Sequence, residues 1–271
     1  MAPPDSEALS HLTAQDPISH CFIDSRIEDG GWRWWGTANE IWGFFDGRDL
    51  LSAVYVGANV VPVATTPSAR AAFADRLRTM PRRSSSFVGP AQEVLDLWRL
   101  LEPAWGSARE VRENQPLLAI DEKPAIEGDP RVRVATTADF DALLPASIAM
   151  FTEEVGVSPM IGGGSDGYRN RVFELARAGR TYVLMDSDGV AFKAEVGSLS
   201  SKACQIQGVW VRPNLRGGGL CRQALARVVS LALQAVAPCV CLYVNSYNTP
   251  ALKCYQSIGF RPHGRFATVL L

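Results

Sequence analysis

A run of three glycines lies between two contrasting segments in the last third of the chain. Gly217–Gly219 follow a β-branched segment that ends at Val211, and they precede an amphipathic segment over residues 220–237. A glycine turn that opens a helix directs several backbone N–H groups into one concavity, where the helix dipole adds partial positive charge. Glycine also lacks the Cβ that would block a phosphate and disfavour positive φ. The segment therefore predicts a pyrophosphate-binding loop.

Three alternatives compete with this interpretation of the glycine run. A Walker A loop requires Gly-Lys-Ser/Thr, which the sequence lacks. A Rossmann fingerprint requires GxGxxG after the first strand of a parallel unit, whereas this run follows several adjacent β-rich segments. A plain flexible turn is compatible with three glycines, and it stays open when this segment is considered alone.

A second pattern lies further downstream. The series Asn-x-x-Ala-x-x-x-Tyr-x-x-x-Gly-Phe is filled in register by Asn248, Ala251, Tyr255, Gly259 and Phe260. With both patterns present, residues 131–271 resemble the GNAT acyltransferase superfamily. The phosphate-loop pattern of that family is Arg/Gln-x-x-Gly-x-Gly/Ala, and the sequence departs from it only at Cys221. Because a thiol is small, we expect the phosphate still to reach the backbone there.

The layout of the whole chain resembles a bacterial tandem-GNAT family with an N-terminal domain of unknown function. The first half repeats the β-β-β-α-β-α-β order of the second half, which predicts a degenerate GNAT-like domain at residues 1–128 and a GNAT acetyltransferase domain at residues 129–271. Two unrelated α/β halves are the alternative. The loop at residues 60–70 corresponds to the phosphate loop but contains no glycine, so we expect no acyl-CoA binding in the first half.

The resemblance implies transfer of an acetyl group from acetyl-CoA, the cosubstrate, to an amine by direct attack in a ternary complex without a metal. It also implies that the backbone of Val209 and Val211 pairs with the pantetheine arm and that Arg216–Arg222 bind the diphosphate. The residues expected at the cofactor are Val209, Trp210, Val211, Arg216, Gly217, Gly218, Gly219, Leu220, Cys221, Arg222, Asn248, Ala251 and Tyr255. Ordinary strand pairing and solvated arginines are the structural alternatives. A non-catalytic acyl-CoA sensor or regulatory module is the alternative function.

Tyr255 occupies the position at which the resemblance implies a general acid. A phenol can supply the proton that a leaving thiolate needs, and a buried aromatic residue is the alternative. The candidates for the general base are Glu195, the last acidic residue of the chain, and Glu153 and Glu154 after a predicted helix. A surface salt bridge is the alternative for each of them. Asn248 either orients the pantetheine or caps the helix that follows.

Alternating strands and helices must position these residues. In the second half the predicted strands are 131–135, 181–185, 190–196, 204–211, 240–244 and 267–271, and the predicted helices are 138–151 (with Thr137 as its N-cap), 168–178, 220–237 and 250–257. In the first half the predicted strands are 40–45, 50–57, 60–64, 86–88 and 117–120, and the predicted helices are 68–80 and 91–101. This order predicts an α/β (α+β) fold with a mixed, mostly antiparallel sheet. The polar segment 121–130 is the predicted linker.

Charge is distributed unevenly along the chain. Residues 1–128 carry 12 basic and 18 acidic side chains, residues 129–271 carry 15 and 10, and no acidic residue follows Glu195. The resulting positive field suits a multiply charged anion, or else a face that packs on the acidic half.

Composition restricts the partners and the compartment. A net charge of -1 argues against nucleic acid as the main partner, and no apolar run has the length of a membrane span. Six cysteines without a CxxC pair and no export signal predict a cytoplasmic location, and the three histidines form no zinc cluster. The expected partner is a small-molecule or peptide amine acceptor, and a homodimer is compatible with the sequence.

Overall fold

The computed structural model describes residues 3–29, 39–161 and 164–271. The helices are α1 Pro3–Thr13, α2 Cys21–Glu28, α3 Pro67–Arg78, α4 Ala91–Trp105, α5 Phe140–Val155, α6 Ser165–Arg177, α7 Leu220–Ala235 and α8 Thr249–Ser257. The strands are β1 Glu40–Asp46, β2 Asp49–Val56, β3 Asn59–Val63, β4 Ser86–Pro90, β5 Glu110–Ile120, β6 Arg133–Val134, β7 Thr181–Asp186, β8 Gly189–Leu199, β9 Cys204–Val211, β10 Val240–Tyr243 and β11 Arg261–Leu270. The predicted fold class is confirmed, whereas α1 and α2 were not predicted from the sequence.

The chain forms two compact units that do not follow the division predicted at residue 128. The first unit contains the described residues up to Ala119 together with Tyr243–Thr249 and Pro262–Leu271. The second unit contains Ile120–Leu242 and Pro250–Arg261. The predicted linker therefore lies within the second unit. The assignment of the two halves as domains stays a prediction.

The first unit is a mixed sheet in the order β1-β2-β3-β4-β11-β5. Strands β1 to β3 are antiparallel neighbours, β3 and β4 are parallel, and β11 is antiparallel to β4. Ala267 and Val269 of β11 are fully buried in one apolar cluster with residues of α3 and α4. The last strand of the chain thus completes the core of the first unit.

The second unit contains strands in the order β10-β9-β8-β7-β6. Neighbours from β6 to β9 are antiparallel, and β10 runs parallel to β9. Helices α5 and α6 pack on this sheet through an apolar cluster that includes Trp210. Helix α7 contacts β8 and β9 and buries its apolar stripe, including Leu225, Val228 and Val229. The glycine run is therefore anchored between a central strand and a well-packed helix.

Two local details correct the sequence analysis of the second unit. The turn ahead of α5 begins at Thr136 rather than at the predicted N-cap Thr137, because the Thr136 N–H donates to the Asp139 carboxylate over 2.8 Å. The predicted linker packs closely on α7, since a Cβ at Gly128 would lie 2.5 Å from the Arg227 backbone. Among the described residues, no helix has the length and apolar character needed to cross a membrane.

Candidate functional site

Strand β9 has an open edge at the end that leads to the glycine run. It pairs with β10 only at Cys204 and Gln205, although β9 continues to Val211. On its other side, the Arg212 N–H donates to the Ala191 carbonyl over 3.0 Å, so Val211 and Phe192 form a non-hydrogen-bonded pair. The Val211 N–H and C=O therefore point away from β8, into the wedge that opens where β9 and β10 stop pairing.

A β-bulge shapes the same stretch of β9. Lys193 pairs with Trp210 and Glu195 pairs with Gln207, so β9 contains one more residue than β8 between these two pairs. Gly208 provides the bulge with φ of +59°. Bulges re-aim the residues of a strand, and a left-handed conformation of this kind favours glycine.

The glycine run forms an exposed turn at the start of α7. Gly217 and Gly219 have φ of +81° and +84°, and Gly219 is the N-cap residue without a side-chain cap. A Cβ on either residue would meet no atom within 4 Å, which leaves the concavity open. Within the described part of the chain, no protein acceptor meets the N–H groups of residues 217–221. These groups are free donors at a helix N-terminus, the arrangement that binds anions.

The two arginines of the predicted loop have different surroundings. Arg216 donates from Nε to the Val211 carbonyl over 2.9 Å, and its Nη2 lies 2.7 Å from Oε2 of Glu153. The Val211 carbonyl therefore already accepts one hydrogen bond, and its N–H is the donor that points into the wedge. Arg222 is exposed on the first turn of α7, and its charge acts on the Cys254 thiol. Both arginines are exposed, and Arg216 is the one held in an ion pair with Glu153.

The corresponding turn of the first unit, between β3 and α3, is closed by protein groups. The Thr65 N–H and hydroxyl both donate to Oε2 of Glu93 over 2.6 Å. The Thr66 N–H donates to the Ser52 hydroxyl over 3.1 Å, and Thr66 caps the helix through the Ala69 N–H. Burial raises the pKa of Glu93, and the bonds from Thr65 partly offset this effect. In the first unit the Glu93 carboxylate thus accepts hydrogen bonds from the turn ahead of α3. In the second unit the N–H groups of the corresponding turn, at the start of α7, face outward.

Tyr255 lies on α8 with only 7% of its surface exposed, and its ring contacts Phe260 at a centroid distance of 6.0 Å. Burial raises the pKa of the phenol well above its usual value, and the thiols of Cys221 and Cys254 and the charge of Glu154 act in the same direction. Tyr255 therefore keeps its proton throughout the physiological range.

The two thiols near Tyr255 hydrogen-bond to each other. The pKa of Cys221, on the first turn of α7, is raised by its hydrogen bond to Cys254 and by burial. The thiol is protonated at neutral pH, which argues against a nucleophilic role for it. Cys221 thus fills the last position of the loop pattern as a small neutral side chain.

The three acidic candidates are in different environments. Both carboxylate oxygens of Glu153 are engaged, one by Arg216 and the other by the Trp210 indole N–H at 3.3 Å. Glu195 is buried and its Oε1 lies 2.5 Å from Nζ of Lys193. Glu154 is exposed at the end of α5, and its charge acts on Tyr255. Only Glu154 combines exposure with an influence on the buried phenol.

The remaining predicted residues are distributed over both units. Ala251 lies one turn before Tyr255 on α8, and Leu220 begins α7. Asn248 belongs to the first unit, where its N–H donates to the Asn245 carbonyl over 2.9 Å. The structure therefore brings the strand, the glycine turn and Tyr255 into the second unit, while Asn248 is placed in the first.

Two residues near the candidate site were missed from the sequence. Lys193 is a fully buried lysine in a β-rich run, and Tyr168 of α6 donates from its hydroxyl to the Ser147 carbonyl over 2.7 Å. Burial, followed by the charge of Glu195, raises the pKa of Tyr168. A lysine two positions before a glutamate in an apolar strand was the available signal for the buried pair. No group of three His, Cys, Asp or Glu side chains in the described residues is arranged to hold a metal ion.

Family models match two regions of the chain. Residues 169–260 match the family model described as "Acetyltransferase (GNAT) family". The chain thus carries a region, residues 169–260, that is identified as a GNAT-family domain. Residues 39–143 match a domain of unknown function, DUF4081. No curated protein is significantly similar to the chain.

Solved structures share the fold of this chain at low sequence identity. A GNAT-family acetyltransferase from Colwellia psychrerythraea is 14% identical with a TM-score of 0.55, and 97% of each chain is covered. A GCN5-related N-acetyltransferase from Sphaerobacter thermophilus is 17% identical with a TM-score of 0.56, covering 99% of this chain and 92% of that one. A tandem GNAT protein from the clavulanic acid biosynthesis pathway is 15% identical with a TM-score of 0.52, covering 96% and 95%. These similarities establish the fold.

Proposed function

We propose that the protein transfers an acetyl group from acetyl-CoA to an amine acceptor. The observation that carries this proposal is the exposed glycine turn at the start of α7, where the N–H groups of residues 217–221 lack protein acceptors. Their number and the positive end of the helix dipole match the diphosphate of coenzyme A. The GNAT-family match of residues 169–260 supports an acyl-CoA as the source of that diphosphate.

The open edge of β9 would hold the pantetheine arm. The Val211 N–H points into the wedge beyond the last β10 pair, so an amide carbonyl of the arm can accept from it as an added strand would. The same edge leads directly into the glycine turn, which would bind the diphosphate at the far end of the arm. Because the strand edge and the helix start would bind the pantetheine arm and the diphosphate, the thioester would be held in one orientation.

Tyr255 is proposed as the general acid. When a neutral amine attacks the thioester carbonyl carbon, the carbon–sulfur bond breaks and the departing thiolate requires a proton. The buried phenol retains its proton at neutral pH and can donate it. Glu154 is proposed to take the proton of the attacking amine, directly or through water, because it is exposed at the end of α5 and its charge acts on the phenol of Tyr255.

Release of free thiol from acetyl-CoA, measured against a panel of small amines and peptides, tests the proposal. Amine-dependent release that requires the full chain supports transfer. Binding of coenzyme A without release of thiol from acetyl-CoA in the presence of any amine favours the acyl-CoA sensor. No binding of coenzyme A at all contradicts both functions. None of the six cysteines forms a disulfide in the described residues, which fits the proposed cytoplasmic location.

A further inference from the structure

A buried ion pair lies beneath the bulge of β9. Lys193 is 0% exposed and Glu195 is 5% exposed, and Nζ lies 2.5 Å from Oε1 of the glutamate. The same Nζ is 3.5 Å from the Gly208 carbonyl oxygen. Oε2 of Glu195 also lies next to Gly208, since a Cβ added to Gly208 would be 3.3 Å from this oxygen. Both charged side chains therefore contact the one residue that forms the bulge.

The pair also flanks the point at which the strand register changes. Lys193 lies opposite Trp210 in the register that leads to the wedge, and Glu195 lies opposite Gln207 in the shifted register. A second irregularity restores the original register by Ser198. The shift is thus confined to a short stretch, and the two charges mark its boundary on the side of the glycine turn.

Stability alone gives little reason for such a pair. The desolvation of two buried charges offsets much of their attraction, and replacing both by apolar residues of similar size is often neutral. A buried pair can instead fix a register, because a slipped strand would leave one charge in the core without its partner. The contact of both groups with Gly208 ties this effect to the bulge.

We infer that Lys193 and Glu195 are positioning residues that hold the Gly208 bulge and, with it, the β9 edge that binds the pantetheine arm. The inference rests on the proposed function. It also gives Glu195 a role other than that of general base, because its carboxylate is bound to Lys193 and directed at the bulge.

The double variant K193M/E195L, which removes both charges at similar volume, tests this role in the full chain. We expect a folded protein whose Kd and KM for acetyl-CoA rise about tenfold or more, while kcat at saturating acetyl-CoA falls less than about threefold. The control is E174L/R177M, which removes an exposed ion pair of 2.6 Å on α6 and should change none of these values. A folded K193M/E195L variant with wild-type affinity overturns the inference. A folded variant that loses kcat at unchanged Kd and KM overturns it as well, because the edge that binds the pantetheine arm would then be intact without the pair.

The milder variant E195Q distinguishes a positioning role of Glu195 from a role as general base. This test does not require the K193M/E195L variant to fold. We expect faster amide hydrogen exchange in residues 206–212 of E195Q than in wild type, with unchanged exchange in α7, and a pH–rate profile of unchanged shape. Loss of the ascending limb of that profile would assign Glu195 as the general base and overturn the inference. Unchanged exchange in residues 206–212 also overturns it. Because this exchange needs no ligand, it decides the inference even if wild type fails to bind coenzyme A and the proposed function is wrong.

Discussion

Alanine substitutions in the glycine turn separate backbone conformation from bulk. Gly217 and Gly219 adopt left-handed φ values of +81° and +84°, whereas Gly218 does not have a left-handed φ. A Cβ would meet no atom within 4 Å at Gly217 or Gly219 and only the Leu215 carbonyl oxygen at 4.0 Å at Gly218. Alanine is therefore strained at Gly217 and Gly219 and fits at Gly218, which supplies a matched control within the same turn.

The size of the effect follows from the left-handed conformation. A residue with a Cβ loses about 1–2 kcal/mol in this region, which corresponds to roughly 5- to 30-fold in an equilibrium constant. Because the turn is exposed and bears no packed side chain, we expect it to relax in the free protein, so that binding must restore the strained form. Kd for coenzyme A should rise by about 5- to 30-fold in G217A and in G219A, and by about 30- to 900-fold in G217A/G219A.

Isothermal titration of the full chain with coenzyme A measures these constants, and thermal unfolding checks that each variant is folded. G218A should bind within about twofold of wild type, since it introduces no strain. Equal affinities for G218A and G217A/G219A would refute the reasoning, because the left-handed turn would then have no part in binding. A loss in G218A alone would refute it as well.

Four further predictions follow from individual contacts. Y255F should lower kcat for thiol release by about 10²- to 10⁴-fold with little change in the KM for acetyl-CoA. Because the pKa of Tyr255 is raised, the pH–rate profile of wild type should show no decrease from ionisation of this phenol below about pH 10. E93A should reduce the free energy of unfolding in urea by about 1–3 kcal/mol because Thr65 loses its acceptor. Calorimetry of wild type should give one coenzyme A per chain, and two would contradict the closed first-unit turn. D139N should lower Tm at pH 7, because the hydrogen bond from Arg133 holds the pKa of Asp139 well below its usual range. The stability that the ionised carboxylate contributes is present above about pH 4 and is lost on acidification. An equal loss of Tm in D139N at pH 7 and at low pH would contradict this. Deletion of residues 262–271 should unfold the first unit, seen as rapid proteolysis of α3 and α4, because Ala267 and Val269 leave its core.

The sequence contained enough information for most elements and for the position of the glycine turn. The extent of β9 was predicted to the residue because a β-rich run ends at an Arg-Pro dipeptide that stops pairing. The start of α7 at Leu220 followed from the glycines and the apolar period. Such signals are local, since each depends on residues that are neighbours along the chain.

Features that depend on distant residues were not predictable in this way. The membership of β11 in the first unit follows from its pairing with β4, and no local pattern distinguishes that pairing from one within the second half. The ion pair between the Arg216 guanidinium and Glu153 joins residues 63 positions apart along the chain, so no local pattern could indicate it. The pairing of Lys193 with Glu195 beneath Gly208 likewise requires knowledge of the strand register.

The most direct test of the acyl-CoA proposal is an experimental structure of the full chain with coenzyme A bound. We predict diphosphate oxygens about 2.7–3.2 Å from backbone nitrogens of residues 217–221, with the thiol beside the Tyr255 hydroxyl. Coenzyme A bound elsewhere while this turn stays empty would contradict the account.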